Sequence, residues 1–352
     1  MMMTVVNVAY PLAPVHPDTA GGAEQVLAEL DSALVRAGHR SIVIACDGSR
    51  TAGELVTVPR PPGQFDPHRI EQAQERHHRA LCDVLQRHRV DLVHMHGVDF
   101  HAYLPPSGVP VLATLHLPIA WYSSEALRPR RSDTWLNCVS ATQQAACPPS
   151  RSLLPPIENG VPPFCGRHAK RAFALMLARI CPEKGVHIAI DAAKRAGVPL
   201  LIAGEVFPYP DHQHYFAEEV QPRLDRWRRF IGPVSPARKR RLLAAARCLL
   251  VASLVPETSS LAAREALSSG TPVVGFARGA LADIIETGRT GFLVDTAQAM
   301  ADAIGKAASI DPEACRRVAR ERFPLQPMID RYFSIYAKLV ATERWRREID
   351  AA

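Results

Sequence analysis

At 352 residues and 38.6 kDa the chain is long for one compact core and comfortable for two, and 47% apolar with 22% charged residues excludes a disordered polypeptide. No run approaches the ~18 apolar residues of a membrane span, and residues 1–10 lack the basic stretch and long apolar core of a signal peptide, so a cytoplasmic protein is expected. The net charge of +7 reads as a solvated surface, and the eight cysteines, none in C-x-x-C spacing, read as buried thiols of a reducing compartment.

In chain order, short apolar runs alternate with amphipathic stretches. Residues 4–9, 41–46, 91–94, 109–116 and 135–139 are predicted strands, with helices over 22–37 and 67–88. A proline-rich break follows at Pro155-Pro156 and Pro162-Pro163. The rhythm then restarts, with strands at 173–178, 199–203, 229–232, 248–253, 272–276 and 292–294, and helices at 186–196, 236–246, 260–269 and 297–308. Residues 328–348 form a last long amphipathic pattern, read as a helix packing back on the first domain. The expected fold class is α/β, with two Rossmann-like, doubly wound parallel-sheet domains facing a cleft. The expected domains are 1–165 and 166–327, with 328–352 as the returning helix.

Parallel sheets bind ligands beyond the carboxyl ends of their strands, and the chemistry falls there. Arg179 and Lys184 lie on the loop after the first strand of the second domain, where two fixed cations suit a diphosphate. The segment Pro256-Glu257-Thr258-Ser259-Ser260-Leu261 follows the strand at 248–253, with Ser259 or Ser260 as helix N-cap and an anion-binding helix N-terminus behind it. Glu265 lies eight positions after Glu257, up to ~12 Å along a helix axis, so the two carboxylates address different parts of one ligand. His94 and His96 share a strand face but have no third ligand, so no metal site is expected. His94 reads as a core histidine, while His96 reaches the cleft. The basic clusters at 128–131, 238–241 and 344–347 lack aromatic interleaving and read as solvated faces; nucleic-acid binding is not expected, and weak peripheral membrane contact is the minor alternative.

The pattern Glu257…Glu265-Ala266-Leu267-Ser268-Ser269-Gly270-Thr271-Pro272-Val273-Val274, with Arg179-Ile180…Glu183-Lys184-Gly185 before it, resembles the retaining, GT-B-fold glycosyltransferases of family 4, also termed glycosyl transferases group 1. The stretch from Gly279 to Val294 and, in the first half, Gly21-Gly22-Ala23-Glu24, Asp91–His96, Thr114-Leu115-His116 and Glu158-Asn159-Gly160-Val161 extend the resemblance over nearly the whole chain. Ala178 stands where the family has glycine, and Thr258-Ser259-Ser260 replaces a commoner glycine-containing stretch.

The resemblance implies a nucleotide-sugar donor, with a UDP-hexose favoured, and a hydroxyl acceptor of glycan, lipid-carrier or natural-product type on the first domain. It implies that Arg179 and Lys184 hold the diphosphate, Glu257 the sugar and Glu265 the ribose. Backbone N–H groups of Ser259, Ser260 and Leu261 contact phosphate and sugar. Gly21 and Gly22 admit the phosphates, and His116 stands near the sugar. Neither cofactor nor metal is expected. A nucleotide-sugar epimerase, an NAD-dependent oxidoreductase and a basic nucleic-acid-binding protein are the rival readings; the oxidoreductase is weakened because no G-x-G-x-x-G follows the first strand.

Overall fold

A computed structural model describes residues 2–16, 19, 21–164, 166 and 169–350, with side chains of 343–350 excepted. The basic cluster at 344–347 and the cysteine at position 165 therefore lie outside the described side chains. The chain divides into two units, Met1–Glu158 with Gln326–Ala352, and Asn159–Leu325.

The first unit carries β1 (Thr4–Val8), α1 (Gly22–Arg36), β2 (Arg40–Cys46), β3 (Glu54–Val58), α2 (Pro67–Arg87), β4 (Leu92–Met95), β5 (Val111–Leu115), α3 (Ser124–Leu127), β6 (Thr134–Cys138) and α4 (Ala141–Ala145). The second carries β7 (Ala174–Leu177), α5 (Val186–Arg195), β8 (Leu200–Ala203), α6 (Pro210–Tyr215), β9 (Arg228–Phe230), α7 (Pro236–Ala245), β10 (Cys248–Val251), α8 (Leu261–Ser268), β11 (Val273–Phe276), α9 (Leu281–Ile284), β12 (Gly291–Val294), α10 (Ala297–Lys306) and α11 (Pro312–Arg322). The last helix, α12 (Leu325–Asp350), lies almost wholly in the first unit.

Each unit holds one six-stranded sheet, ordered β3-β2-β1-β4-β5-β6 in the first and β12-β11-β10-β7-β8-β9 in the second. All pairings are parallel, and both orders are the doubly wound one with its reversal beside the first strand of the unit. Sheets covered on both faces need strands apolar on both faces, which is why these read as continuous apolar runs. In β10, Cys248 and Leu250 enter one core layer, while Leu249 and Val251 enter the opposite one.

The expected strands and long helices are present, and the additions have local causes. β3 is an edge strand of five residues, largely half-exposed, so its apolar signal is weak. α11 begins on an Asp311 cap that accepts from the Glu313 N–H, with Pro312 in the first turn. The units divide at Glu158/Asn159 rather than 165/166, because residues after 158 are already built into the second unit: Val161 N–H donates to Phe323 O at 2.9 Å, and Asn159 O accepts from Arg264 at 2.6 Å. On α12, Met328, Ile329, Tyr332, Tyr336, Leu339 and Val340 form one buried stripe at helical spacing.

Candidate functional site

In the second sheet the strand order reverses between β7 and β10, and the loops leaving these two strands carry the predicted charges. After β7 the chain passes Arg179 and makes a single 3-10 turn over Pro182–Lys184. Gly185 then enters α5 with φ +59°, and a Cβ there would lie 2.2 Å from the Ala252 carbonyl oxygen. Both the left-handed backbone and the close approach to the β10 loop demand glycine. The turn is fixed to that loop by Leu254 N–H donating to Glu183 O at 2.7 Å. Lys184 is thereby aimed at the β10 side: its Nζ lies 2.5 Å from Glu257 Oε1. Arg179 is half-buried on the same loop, with no ion pair to its guanidinium among the described residues.

Glu257 is buried and held from several sides. Ser253 Oγ and the Ser260 hydroxyl also reach its carboxylate. Its backbone is clasped by the loop before α9, with Ala280 N–H donating to Glu257 O at 2.7 Å. Burial alone pushes a carboxyl up; here the Lys184 charge and hydrogen bond, with Ser253 and Ser260, outweigh it and hold Glu257 below the ordinary range. The group is an anion locked against a cation.

Ser260 is the N-cap of α8, but its side chain does not cap the helix; the hydroxyl turns to Glu257 instead. That corrects the expected capping role and leaves the first-turn N–H groups of α8 without a side-chain cap, the arrangement that receives an anion. Ser260 also has φ 45°, the sole positive φ at a non-glycine among the described residues. Such a left-handed backbone is strained for a residue with a Cβ. Ser259 beside it is 3% exposed, and its Oγ has no hydrogen-bond partner among the described residues. A buried hydroxyl without a partner at an uncapped helix start is itself a mark of a ligand site.

Glu265 lies just over one turn into α8 and pairs with Lys239 of α7, Nζ to Oε1 2.7 Å, with both side chains about one-fifth exposed. Lys239 belongs to the 238–241 run expected to be solvated, so part of that run is structural. Arg264, not anticipated from the sequence, is fully buried: its guanidinium stacks 4.4 Å over Phe323, and Nε donates to Ser259 O at 2.9 Å. It fixes the carbonyl at the start of α8. A buried arginine one residue from Glu265 has no periodic sequence signal to distinguish it from a surface charge.

The first unit shows a neutral counterpart. His94 is buried between Tyr336 Oη and Thr114 Oγ1, each 2.7 Å from a ring nitrogen. Thr114 donates to Asn137 Oδ1 at 2.7 Å, so it accepts from His94 Nε2–H, and His94 Nδ1 accepts from Tyr336. His96 is also buried rather than open, with Nδ1 3.1 Å from His116 Nε2 and its own Nε2 without a partner among the described residues. Burial lowers all three rings, His116 to about 3, so the cluster is neutral near pH 7. Gly21 precedes α1 with φ −84°, and a Cβ there would collide with the Glu24 carboxylate; Gly22 is the first residue of α1. His116, Gly21 and Gly22 thus lie in the first unit, and the charged residues in the second.

Among the described residues, one group of metal-ligand type comes together: ligand atoms of Cys181, Glu183 and His212 lie within 4.8 Å of one another. No described helix is long and apolar enough to cross a membrane.

Two doubly wound sheets of the same strand order, with paired acids and cations at the reversal of the second, are the GT-B frame of sugar-transferring enzymes. The chain belongs to the glycosyltransferases of family 4 and group 1: the Glycosyltransferase Family 4 pattern matches residues 20–147, and Glycosyl transferases group 1 matches residues 165–322. It is 26% identical to the solved structure of AviGT4, a glycosyltransferase involved in avilamycin A biosynthesis, covering 96% of this chain and 98% of that one with a TM-score of 0.70. Sucrose-phosphate synthase of Thermosynechococcus elongatus shares the fold at 19% identity, covering 97% and 100% of the two chains with a TM-score of 0.77. Among curated proteins, glycogen synthase of Mycobacterium tuberculosis is 29% identical over 272 residues, 66% of this chain. The chain spans 63% of the length of that relative.

Proposed function

We propose that the protein is a retaining, metal-independent glycosyltransferase that moves a hexose from a UDP-sugar to a hydroxyl acceptor. The observation that carries the reading is the constellation at the start of α8: a locked Lys184–Glu257 pair, uncapped helix N–H groups and the buried, unpartnered Ser259 hydroxyl. Lys184 and Arg179 hold the diphosphate with the N–H groups of Ser259, Ser260 and Leu261. Glu257 orients the transferring sugar, and Glu265 takes the ribose hydroxyls. In the first unit, Gly21 and Gly22 admit the phosphates, His116 contacts the sugar as a neutral hydrogen-bonding group, and the acceptor binds. The donor base is supported by the solved structures of Anabaena HepE with UDP-glucose and with UDP and glucose, which share this fold.

In the proposed reaction the bond from the anomeric carbon to the diphosphate oxygen breaks first, through an oxocarbenium-like transition state. The acceptor oxygen attacks from the same face, and its proton passes to the departing diphosphate. Positive charge on that leaving group comes from Lys184, Arg179 and the α8 N-terminus, which is the work a divalent ion does elsewhere.

Thermal shift with UDP, GDP, ADP and NAD tests the donor site, on wild type and on Lys184→Ala and Glu265→Ala. Stabilisation by UDP that both variants lose is expected. Stabilisation by NAD alone, or shifts equal in all three proteins, would sink the assignment. With a turnover assay in hand, EDTA is expected to leave the rate unchanged and the product to keep the donor's anomeric configuration; loss of transfer in EDTA, or an inverted anomer by proton NMR, refutes the corresponding part.

A further inference from the structure

Cys138 ends β6 and is fully buried, while Cys147 follows α4 and is half-exposed. Their sulfur atoms lie 3.4 Å apart. A disulfide needs about 2.04 Å, so the gap to close is roughly 1.4 Å. The surroundings favour reaction at the outer sulfur. The Cys138 thiol donates to Cys147 and so lowers the Cys147 thiol, whereas Cys46, Cys248 and Cys315 are pushed up to about 12 by burial, and Cys181 to about 11. The thiolate is the form that an oxidant attacks. Among the described cysteines, Cys147 therefore combines access, a thiol lowered by its neighbour and a resolving thiol in contact.

We propose that Cys138 and Cys147 form an oxidisable dithiol site, in which a peroxide modifies Cys147 and Cys138 resolves it to an internal disulfide. The Cys147 thiolate attacks hydrogen peroxide; an S–O bond forms, the O–O bond breaks, and hydroxide leaves to take up a proton as water. The resulting sulfenic acid is attacked by the Cys138 sulfur. The S–S bond forms, the S–O bond breaks, and the departing hydroxide takes the Cys138 proton as a second water. Two thiols are oxidised, and one peroxide is reduced.

The site is wired to the histidine cluster. Gln143 lies between the two cysteines in sequence, and its Nε2 donates to Leu115 O and Leu117 O, both at 2.8 Å, the carbonyls that flank His116. Closing the bond thus acts on the segment that holds this strand end in place.

The chain itself provides a clean readout. Trypsin releases residues 132–151 as one peptide, which holds Cys138, Cys147 and no other cysteine. The folded protein is treated with hydrogen peroxide, quenched with catalase, denatured, alkylated with N-ethylmaleimide and mapped by mass spectrometry. Wild type is expected to give this peptide without maleimide and lighter by two hydrogens, reverting with dithiothreitol. Cys138→Ser is expected to stop at the sulfenic acid, trapped by dimedone on Cys147, and Cys147→Ser to keep an alkylated Cys138. A wild-type peptide that carries two maleimides while other cysteines oxidise, or a Cys138→Ser protein that takes dimedone elsewhere, overturns the proposal. Sugar transfer is not part of the readout, so this result stands apart from that of the donor-site test.

Discussion

The two units share one strand order yet keep opposite chemistry at their strand ends. In the first, His94, His96 and His116 are buried and neutral; His94 is tied into a hydroxyl and amide network with Thr114, Asn137, Tyr332 and Tyr336, and His96 bonds to His116. In the second, Glu257 and Glu265 are each bonded to a lysine. One frame therefore supports a polar site in two ways: by burial that keeps rings uncharged, or by an ion pair that keeps the Glu257 carboxylate charged. Neutral networks leave a surface that orients a ligand without attracting charge, and fixed ion pairs supply charge that a ligand can exchange for its own.

Breaking the ion pair tests the comparison most severely. Lys184→Ala leaves the buried Glu257 carboxylate without its cation, which is expected to cost about 3 kcal/mol in stability by denaturant titration and to abolish the UDP shift. Glu257→Gln keeps the shape and is expected to slow transfer by roughly 10²–10³ in steady-state turnover. Replacing the network in the first unit gives the contrasting result. Tyr336→Phe leaves the His94 Nδ1 lone pair unmet, a loss of about 1–2 kcal/mol in denaturant titration with the UDP shift unchanged.

Acid separates the two clusters by pH window. The histidines have folded values below the ordinary 6.5, so the unfolded chain binds protons first; stability is complete above about pH 6.5 and falls as pH drops from there towards about 3. Glu257 lies below its ordinary 4.5, so its contribution is complete above that value and is lost only as pH falls further. Hydrogen exchange at pH 5.5 is expected to show amides of β4 and β5 losing protection while those of α8 hold. Equal loss in both would contradict the contrast. The smallest effect concerns Ser260. Both Ser260→Gly and Ser260→Ala lose the contact to Glu257, but only glycine relieves the left-handed backbone, so the glycine variant is expected to be the more stable by about 1 kcal/mol.

Much of this was legible in the chain. Strand runs such as Ala174–Leu177 and Cys248–Val251 are apolar on both faces because both faces are covered, and that pattern alone points to parallel sheets. The charged residues after β7 and β10 were legible as candidates because charges at strand ends, flanked by glycine and proline, are unusual in a buried setting. Partnerships were not. Nothing local ties Lys239 to Glu265, or His94 to a tyrosine 242 positions away, since such contacts are set by how helices pack. The short helix α4, on a Ser140 cap that accepts from Gln143, carries too few residues for a periodic signal, so the approach of Cys138 to Cys147 was equally hidden.

The discontinuity of the first unit has a consequence for how the protein is made. Residues 159–325 form a continuous segment that emerges whole from the ribosome, so the second unit has all its strands as soon as α11 is synthesised. The first unit begins earlier and finishes later. Its central histidine waits, with Nδ1 unmet, until Tyr336 emerges. During synthesis the half started first is thus the half completed last, and a nascent chain stalled before α12 would carry a finished second unit and an incomplete first core.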